Sequence, residues 1–344
     1  MAVMRKYIRK NILELEPYST ARDEFQGTGI SVWLDANESP YNNGANRYPD
    51  PHQKELKKRV ARMTGISSDC IFIGGAGSDE AIDVAFRIFC EPGKDNVIAI
   101  APSYGVYKVA ATINNVEVRE VLLNEDFSLP ADRILDATDS NSKIIWICSP
   151  NNPTGNAFPK EEILEIAHRF KGIVIVDEAY ADFSDKGSML DKINSVENLI
   201  VLRTFSKAWG LAGLRAGMAF ASAEIIGFFD RVKYPYNMSS LVQEELLHRM
   251  EQGTGNHITE IKSERDRMAK ALQEAPCVLK VYPSDANFLL VKVKNADHLY
   301  NYLAGNGVLV RDRSRMPLCD NSLRITIGTP EENAATISLI QQFN

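Results

Sequence analysis

Glu161-Glu162-Ile163-Leu164-Glu165-Ile166-Ala167-His168-Arg169-Phe170-Lys171-Gly172-Ile173-Val174-Ile175-Val176-Asp177-Glu178-Ala179-Tyr180 carries two periodicities in succession. Ile163, Leu164, Ile166, Ala167 and Phe170 fall on one stripe of a 3.6-residue helix, so Glu161–Phe170 is expected to be amphipathic and helical. Ile173–Val176 has no polar position, as in a strand covered on both faces. A helix feeding a doubly buried strand is the second half of a strand-helix-strand unit, which implies a parallel neighbour. Asp177 then stands at the strand's carboxyl end, where open α/β sheets bind ligands.

The same grammar runs from about residue 54 to residue 220, with strands expected at Cys70–Ile73, Val97–Ile100, Val116–Val121, Lys143–Cys148, Ile173–Val176, Leu199–Arg203 and Ala216–Ala221. Helical patterns between them make this an α/β unit with a central, mainly parallel sheet flanked by helices. A long helical region from Ser239 to about Glu274, broken near Gly253-Thr254-Gly255-Asn256, leads to a smaller α+β unit. Its expected strands are Val278–Tyr282, Asn287–Val293, Val308–Val310 and Ser322–Ile327, with helices near His298–Ala304 and Glu331–Gln341. Three parts follow: residues 1–44 as an N-terminal arm joined to the smaller unit, 45–254 as the large domain and 255–344 as the small C-terminal domain. No internal repeat or low-complexity tract interrupts them.

The 344 residues are 44% hydrophobic and 24% charged, an ordinary globular composition. The formal charge of −6 gives no electrostatic footprint for nucleic acid. Cys70, Cys90, Cys148, Cys277 and Cys319 are scattered and odd in number, so reduced, mostly buried thiols are expected. His52, His168, His248, His257 and His298 show no metal spacing. No apolar run is long enough for a membrane span and the start lacks a signal-peptide core, which together point to a cytoplasmic protein.

Three motifs carry chemistry. Lys207 lies in Thr204-Phe205-Ser206-Lys207-Ala208-Trp209-Gly210-Leu211-Ala212-Gly213-Leu214-Arg215, where apolar neighbours protect an amine that can condense with an aldehyde. Ser206 and Arg215 in the same run suit a phosphate dianion. Asp177, presented beneath desolvated surroundings, needs a partner for its charge, and Tyr180 follows it by three residues. Ser149-Pro150-Asn151-Asn152-Pro153-Thr154-Gly155 adds the amide of Asn152. An amine, a carboxylate for a pyridinium nitrogen, and a phenol and amide for a ring oxygen are together the parts of a pyridoxal phosphate site. Gly74-Gly75-Ala76-Gly77-Ser78-Asp79-Glu80 follows a strand and opens the helical pattern Ala81–Phe89, so amides near Gly77, Ser78 and Asp79 can meet an anion. In Pro102-Ser103-Tyr104-Gly105-Val106-Tyr107, Tyr104 offers an aromatic plate for a heteroaromatic ring.

These residues, with Asn11-Ile12-Leu13-Glu14-Leu15-Glu16-Pro17-Tyr18, Leu34-Asp35-Ala36-Asn37-Glu38-Ser39-Pro40-Tyr41, Asn46-Arg47-Tyr48-Pro49-Asp50-Pro51 and Leu323-Arg324-Ile325-Thr326-Ile327-Gly328, resemble the fold-type I aminotransferases, and within them the histidinol-phosphate aminotransferase family. The resemblance spans nearly the whole chain. It implies pyridoxal phosphate as cofactor and a two-stage exchange between histidinol phosphate and 2-oxoglutarate on one side and imidazole-acetol phosphate and glutamate on the other. By the same resemblance Lys207 is both anchor and acid/base, and the Ser78 and Asp79 amides, Thr204, Ser206 and Arg215 form the phosphate cup. Arg324, assisted by Arg311, would bind substrate carboxylate and phosphate in turn, with Tyr18 and Asn37 near the substrate. Tyr48 would reach the neighbouring subunit's cofactor phosphate, making the protein a homodimer. An aromatic amino acid aminotransferase, a phosphothreonine decarboxylase-like enzyme or a non-catalytic cofactor-binding regulator would share much of this site.

Overall fold

The computed structural model describes residues 5–25 and 27–343; residues 1–4 and 344, the outer ends of the expected parts, lie outside it, as does residue 26. The described residues build two sheets. The larger holds β1 Ile71–Gly77, β2 Asn96–Ala101, β3 Glu117–Leu122, β4 Ser142–Cys148, β5 Ile173–Asp177, β6 Leu199–Thr204 and β7 Gly217–Phe220, in spatial order β1-β7-β6-β5-β4-β2-β3. From β3 to β6 every pairing is parallel, while β7 runs against both β6 and β1.

β5 is the middle strand, and Ile173 through Val176 have no exposed surface. Ile173 and Ile175 pack with Phe72, Val97 and Ile144 on one face; Val174 and Val176 pack with Ile73, Ile98 and Ile145 on the other. Two cores, one per face, are why the strand reads as an unbroken apolar run. Each such side chain contributes about 1.5–3 kcal/mol by burial, enough to hold the strand's charged end in place. The preceding helix is Lys160–Arg169, with Ile163, Ile166 and Ala167 buried, Glu161 and Glu162 in its first turn and Arg169 in its last, as the helix dipole favours.

The first strand runs further than its expected end at Ile73. β1 continues through the glycines to Gly77, and the helix Ser78–Phe89 begins at once. The glycines serve close approach there: a Cβ on Gly75 would sit 1.9 Å from the Asn237 carbonyl oxygen, and one on Gly217 of β7 would sit 2.1 Å from the Ser78 nitrogen.

The smaller sheet holds β8 Val278–Val281, β9 Phe288–Val293, β10 Arg311–Asp312 and β11 Ser322–Thr326, in order β10-β11-β9-β8 and antiparallel throughout. Met268 and Leu272 of the helix His257–Gln273, Leu299 and Leu303 of Ala296–Gly305, and Ile337 and Ile340 of Pro330–Gln342 close its core. The last helix starts with a Thr329/Glu332 capping box and proline in its first turn. The expected strand at Val308–Val310 is corrected to Arg311–Asp312: Leu309 is 80% exposed, so that apolar run does not mark the pairing.

Residues 5–13 also correct the expectation that the N-terminal arm joins the smaller unit. Ile8 and Ile12 are buried in the core formed by Phe86, Ile88 and Phe229 beside the large sheet, the Arg9 N–H donates to the Ile88 carbonyl (3.0 Å), and the Arg9 guanidinium meets Glu91 at 3.1 Å. All five cysteines are free and buried. No helix among the described residues is long and apolar enough to cross a membrane.

Candidate active site

Parallel strands end together at one edge, and the cleft lies at that edge. Cys148 of β4 pairs with Asp177 of β5, which pairs with Leu202 of β6. Asn152, Asp177 and Lys207 thus come from the carboxyl ends of three adjacent strands. Tyr104 follows β2, and Ser78 opens the helix after β1. Gly77, Ser78, Asp79, Tyr104, Asp177, Tyr180, Thr204, Ser206, Lys207 and Arg215 all line one cleft, joined by Cys148, Ala179 and Ala212.

Asp177 is 2% exposed and has no cation bonded to it among the described residues. Its Oδ2 accepts the Tyr107 hydroxyl at 2.7 Å and its Oδ1 accepts the Ala179 N–H at 3.1 Å. Burial pushes its pKa up to about 6, against the pull of those two donors. Beside it, Asn152 donates to the Tyr180 hydroxyl (3.2 Å) and accepts from Arg324 Nη1 (2.6 Å). That chain links β11 of the smaller sheet to the cleft. Burial raises the Tyr180 phenol's pKa, so the group stays a hydrogen-bond donor at neutral pH.

The opposite end of the cleft is suited to an anion. Gly77, at φ 77°, precedes the helix Ser78–Phe89 and provides no side-chain cap. Hence no N-cap side chain occupies the first-turn amides. By contrast, Ser222, Ser239 and Thr329 cap the starts of the helices they precede. Arg215, in the left-handed region at φ 51°, donates to the Ala76 and Ala212 carbonyls and to Ser206 Oγ (3.5 Å), with Asp79 3.6 Å away. Thr204 Oγ1 accepts the Ser206 N–H at 3.1 Å, which fixes the loop that carries Lys207.

Lys207 Nζ lies 5.7 Å from the centre of the Tyr180 ring. Loss of water lowers its pKa first, and the Arg324 and Arg215 charges lower it further, while Asp177 and Asp79 act the other way. A lowered lysine pKa makes the neutral, nucleophilic amine more accessible near neutral pH.

Asn152 and Arg324 reach the cleft only through the Tyr180 hydroxyl, and four further expected residues, Tyr18, Asn37, Tyr48 and Arg311, do not line the cleft of their own chain. Tyr18 is 71% exposed, and Asn37 and Tyr48 line a separate cleft with Arg47 and Leu241, where the Tyr48 ring stacks on Tyr236 at 4.4 Å. Arg311 is exposed on β10, directly across the pairing from Arg324, and lowers the Arg324 pKa by repulsion after burial has done so. Tyr107 was not singled out by sequence, although it sits one helical turn after Tyr104 and therefore on the same side. Cys148, Ala179 and Ala212 carry no polar signal that sequence reasoning could have weighed.

The sequence profile described as Aminotransferase class I and II matches residues 20–340. The chain is 49% identical to the histidinol-phosphate aminotransferase of Bacteroides fragilis, covering 100% of each chain, and 51% identical to that of Parabacteroides distasonis, covering 100% of this chain and 99% of that one. Its fold matches the histidinol-phosphate aminotransferase from Clostridium acetobutylicum with a TM-score of 0.79 at 22% identity, over 86% of this chain and 90% of that one. The corresponding enzyme from Sinorhizobium meliloti, solved in complex with pyridoxal-5'-phosphate, matches with a TM-score of 0.78 at 22% identity, over 86% and 82%. With the profile spanning nearly the whole chain and relatives matching it end to end, this chain belongs to the class I and II aminotransferases.

Proposed function

We propose that the chain is a pyridoxal-phosphate-dependent aminotransferase that interconverts L-histidinol phosphate and 2-oxoglutarate with imidazole-acetol phosphate and L-glutamate. The observation that carries the reading is the convergence of Lys207, Asp177, the Asn152–Tyr180 pair and an uncapped helix start in one cleft. The substrate follows from relatives about half identical over their full lengths.

The donor set fits the cofactor at every edge. The Ser78 and Asp79 amides, Thr204, Ser206 and Arg215 suit its phosphate, Asp177 its ring nitrogen, Asn152 and Tyr180 its ring oxygen, and Tyr104 its face. When bound, the cofactor supplies an aldehyde that captures amines and a ring that takes up the electron pair released as the substrate C–H bond breaks. Lys207 Nζ would be the group that holds the cofactor's aldehyde carbon, and as a free amine it would take the proton from the substrate carbon and return it. Asp177, bonded only to neutral groups, keeps its charge available for a cationic ring N–H. Arg324, tied to Asn152 through Nη1 and with Nε buried without a partner, is placed to hold the substrate's carboxylate or phosphate, with Arg311 beside it.

Tyr48 completes this reading from a second copy of the chain, with Tyr18 and Asn37 near the substrate. Supporting that, the segment bearing them exposes Val32 (70%), Leu34 (87%) and Tyr41 (82%), apolar surface that a homodimer would cover. Five free, buried thiols accord with a reducing cytoplasm.

Incubation with histidinol phosphate and 2-oxoglutarate is expected to yield glutamate, and borohydride reduction followed by peptide mapping to place the cofactor adduct on Lys207. Preferred turnover of phenylalanine, or carbon dioxide release from phosphothreonine, overturns the substrate assignment; an adduct elsewhere overturns the site. Mixing inactive Lys207→Ala subunits with Tyr48-truncated ones should restore part of the activity, because one hybrid site then holds both native residues. No recovery in verified hybrids counts against a shared site.

A further inference from the structure

The hydrogen bond from Tyr107 to Asp177 has no place in the cofactor contacts described above, yet Tyr107 is buried and packed against two aromatic rings. Its side chain is 2% exposed. Its ring stacks on Trp146 at 4.8 Å with an interplanar angle of 12°, and Trp146 in turn stacks on Phe86 at 5.5 Å. Tyr104 meets its edge at 5.6 Å and 85°. Two aromatic neighbours, Trp146 and Tyr104, and the start of the helix Val106–Ile113 therefore fix where the hydroxyl points, and it points at Asp177 Oδ2 from 2.7 Å.

We propose that Tyr107 is a positioning residue for the transfer reaction: its hydroxyl holds the Asp177 carboxylate ionised and correctly turned to receive the cofactor's ring N–H. The proposal rests on the assignment of Asp177 to the ring nitrogen made above.

The chemistry is one-directional. Tyr107 is buried beside a carboxylate, so its phenol stays protonated and can only donate while Asp177 is an anion. The Ala179 N–H, on the other oxygen, is likewise only a donor. The remaining titratable groups facing Asp177 are Asp79 from the helix after β1, Cys148 at the end of β4, Tyr180 after β5, Lys207 in the loop after β6 and Tyr104 after β2. Of these, Asp79 opposes ionisation and Lys207 favours it without bonding to Asp177. Burial works against the carboxylate and leaves its pKa at about 6 even with both donors in place. Tyr107 is thus the one side chain hydrogen-bonded to Asp177 among the described residues.

Tyr107→Phe keeps the ring and its stacking and removes one oxygen. In the cofactor-free protein, carbon-13 NMR of labelled aspartate, with Asp177 assigned through Asp177→Asn, should show the Asp177 titration midpoint rising by about one to two pH units, as expected when a charged group loses a hydrogen bond. An unmoved midpoint overturns the proposal. A second measurement needs no substitution: the Tyr107 Cζ resonance of the unaltered protein should shift at the Asp177 midpoint, and a flat trace overturns the proposal even if Tyr107→Phe fails to fold. In the loaded enzyme Tyr107→Phe should slow amino transfer about two- to tenfold at pH 7, the share of ionised Asp177 lost when its midpoint rises by one to two units from about 6, and recover as pH rises and Asp177 ionises again. A packing role alone would slow it equally at every pH. If Asp177→Asn leaves transfer intact while the midpoint still moves in Tyr107→Phe, the ring-nitrogen assignment fails and the hydrogen bond stands.

Discussion

Asp177 and Glu178 are neighbours on the chain and equally hidden, at 2% and 3% exposed, yet the two sides of the sheet treat them oppositely. On the cleft side, Asp177 is bonded to a phenol and a backbone N–H, both neutral. On the other side, Glu178 meets the Arg203 guanidinium at 3.0 Å and accepts from the Ser188 hydroxyl and the Met189 N–H, while Arg203 also binds Asp182 at 2.8 Å. A buried carboxylate that already has its cation is spent on structure. One held only by neutral donors retains attraction for a positive ligand, and the cost of keeping it ionised falls on the fold.

The contrast can be broken most forcefully at Asp177 itself. Asp177→Asn keeps the shape and removes the charge, and should lower the rate of amino transfer about 10²–10³-fold, the usual loss when one electrostatic contact to the reacting group is removed. A rate within a few-fold of the native enzyme, measured at saturating cofactor, would end the functional reading of this residue. On the opposite side, Arg203→Met leaves Glu178 buried without its cation. It should destabilise the protein by about 3–5 kcal/mol in denaturant unfolding while changing the transfer rate far less.

The smallest expected effect is also the one that sharpens the comparison. Folding raises the Asp177 pKa to about 6 from an unfolded value of roughly 4, so the folded state binds the extra proton between those limits. The penalty for its ionised form is absent below pH ~4 and fully present above pH ~6. Asp177→Asn should therefore stabilise the cofactor-free protein by about 3 kcal/mol at pH 7 and by almost nothing at pH 4. Destabilisation at pH 7 comparable to that of Arg203→Met would show that the two carboxylates are not treated differently after all.

Much of this organisation was legible in the chain, for identifiable reasons. All seven strands of the large sheet were expected within a few residues of their observed limits, the inner ones because strands covered on both faces leave apolar runs bounded by turn residues, while the edge strand β3, Glu117–Leu122, is partly exposed and mixes Val118, Val121 and Leu122 with charged residues. The exceptions lie where that signal is missing. β10 is two residues long, Arg311 and Asp312, and its only mark is its pairing with Arg324 and Leu323. The glycines after Ile73 suggested a turn because a glycine's use depends on what passes near it, and the Asn237 carbonyl is 162 positions away in sequence (237 − 75). The N-terminal residues were assigned to the wrong neighbour since Ile8 and Ile12 are two isolated apolar positions that fit either core.

By itself the chain determined the parallel sheet, the strand end that bears Asp177 and the amine that would meet an aldehyde, because these rest on periodicity and local residue chemistry. Only the tertiary structure decided that Tyr107 reaches Asp177, that Arg324 crosses from the small sheet to Asn152, and that Tyr18, Asn37 and Tyr48 lie outside their own chain's cleft. The first two relations join residues 70 and 172 positions apart, and a distance set by packing between elements leaves no local pattern to read.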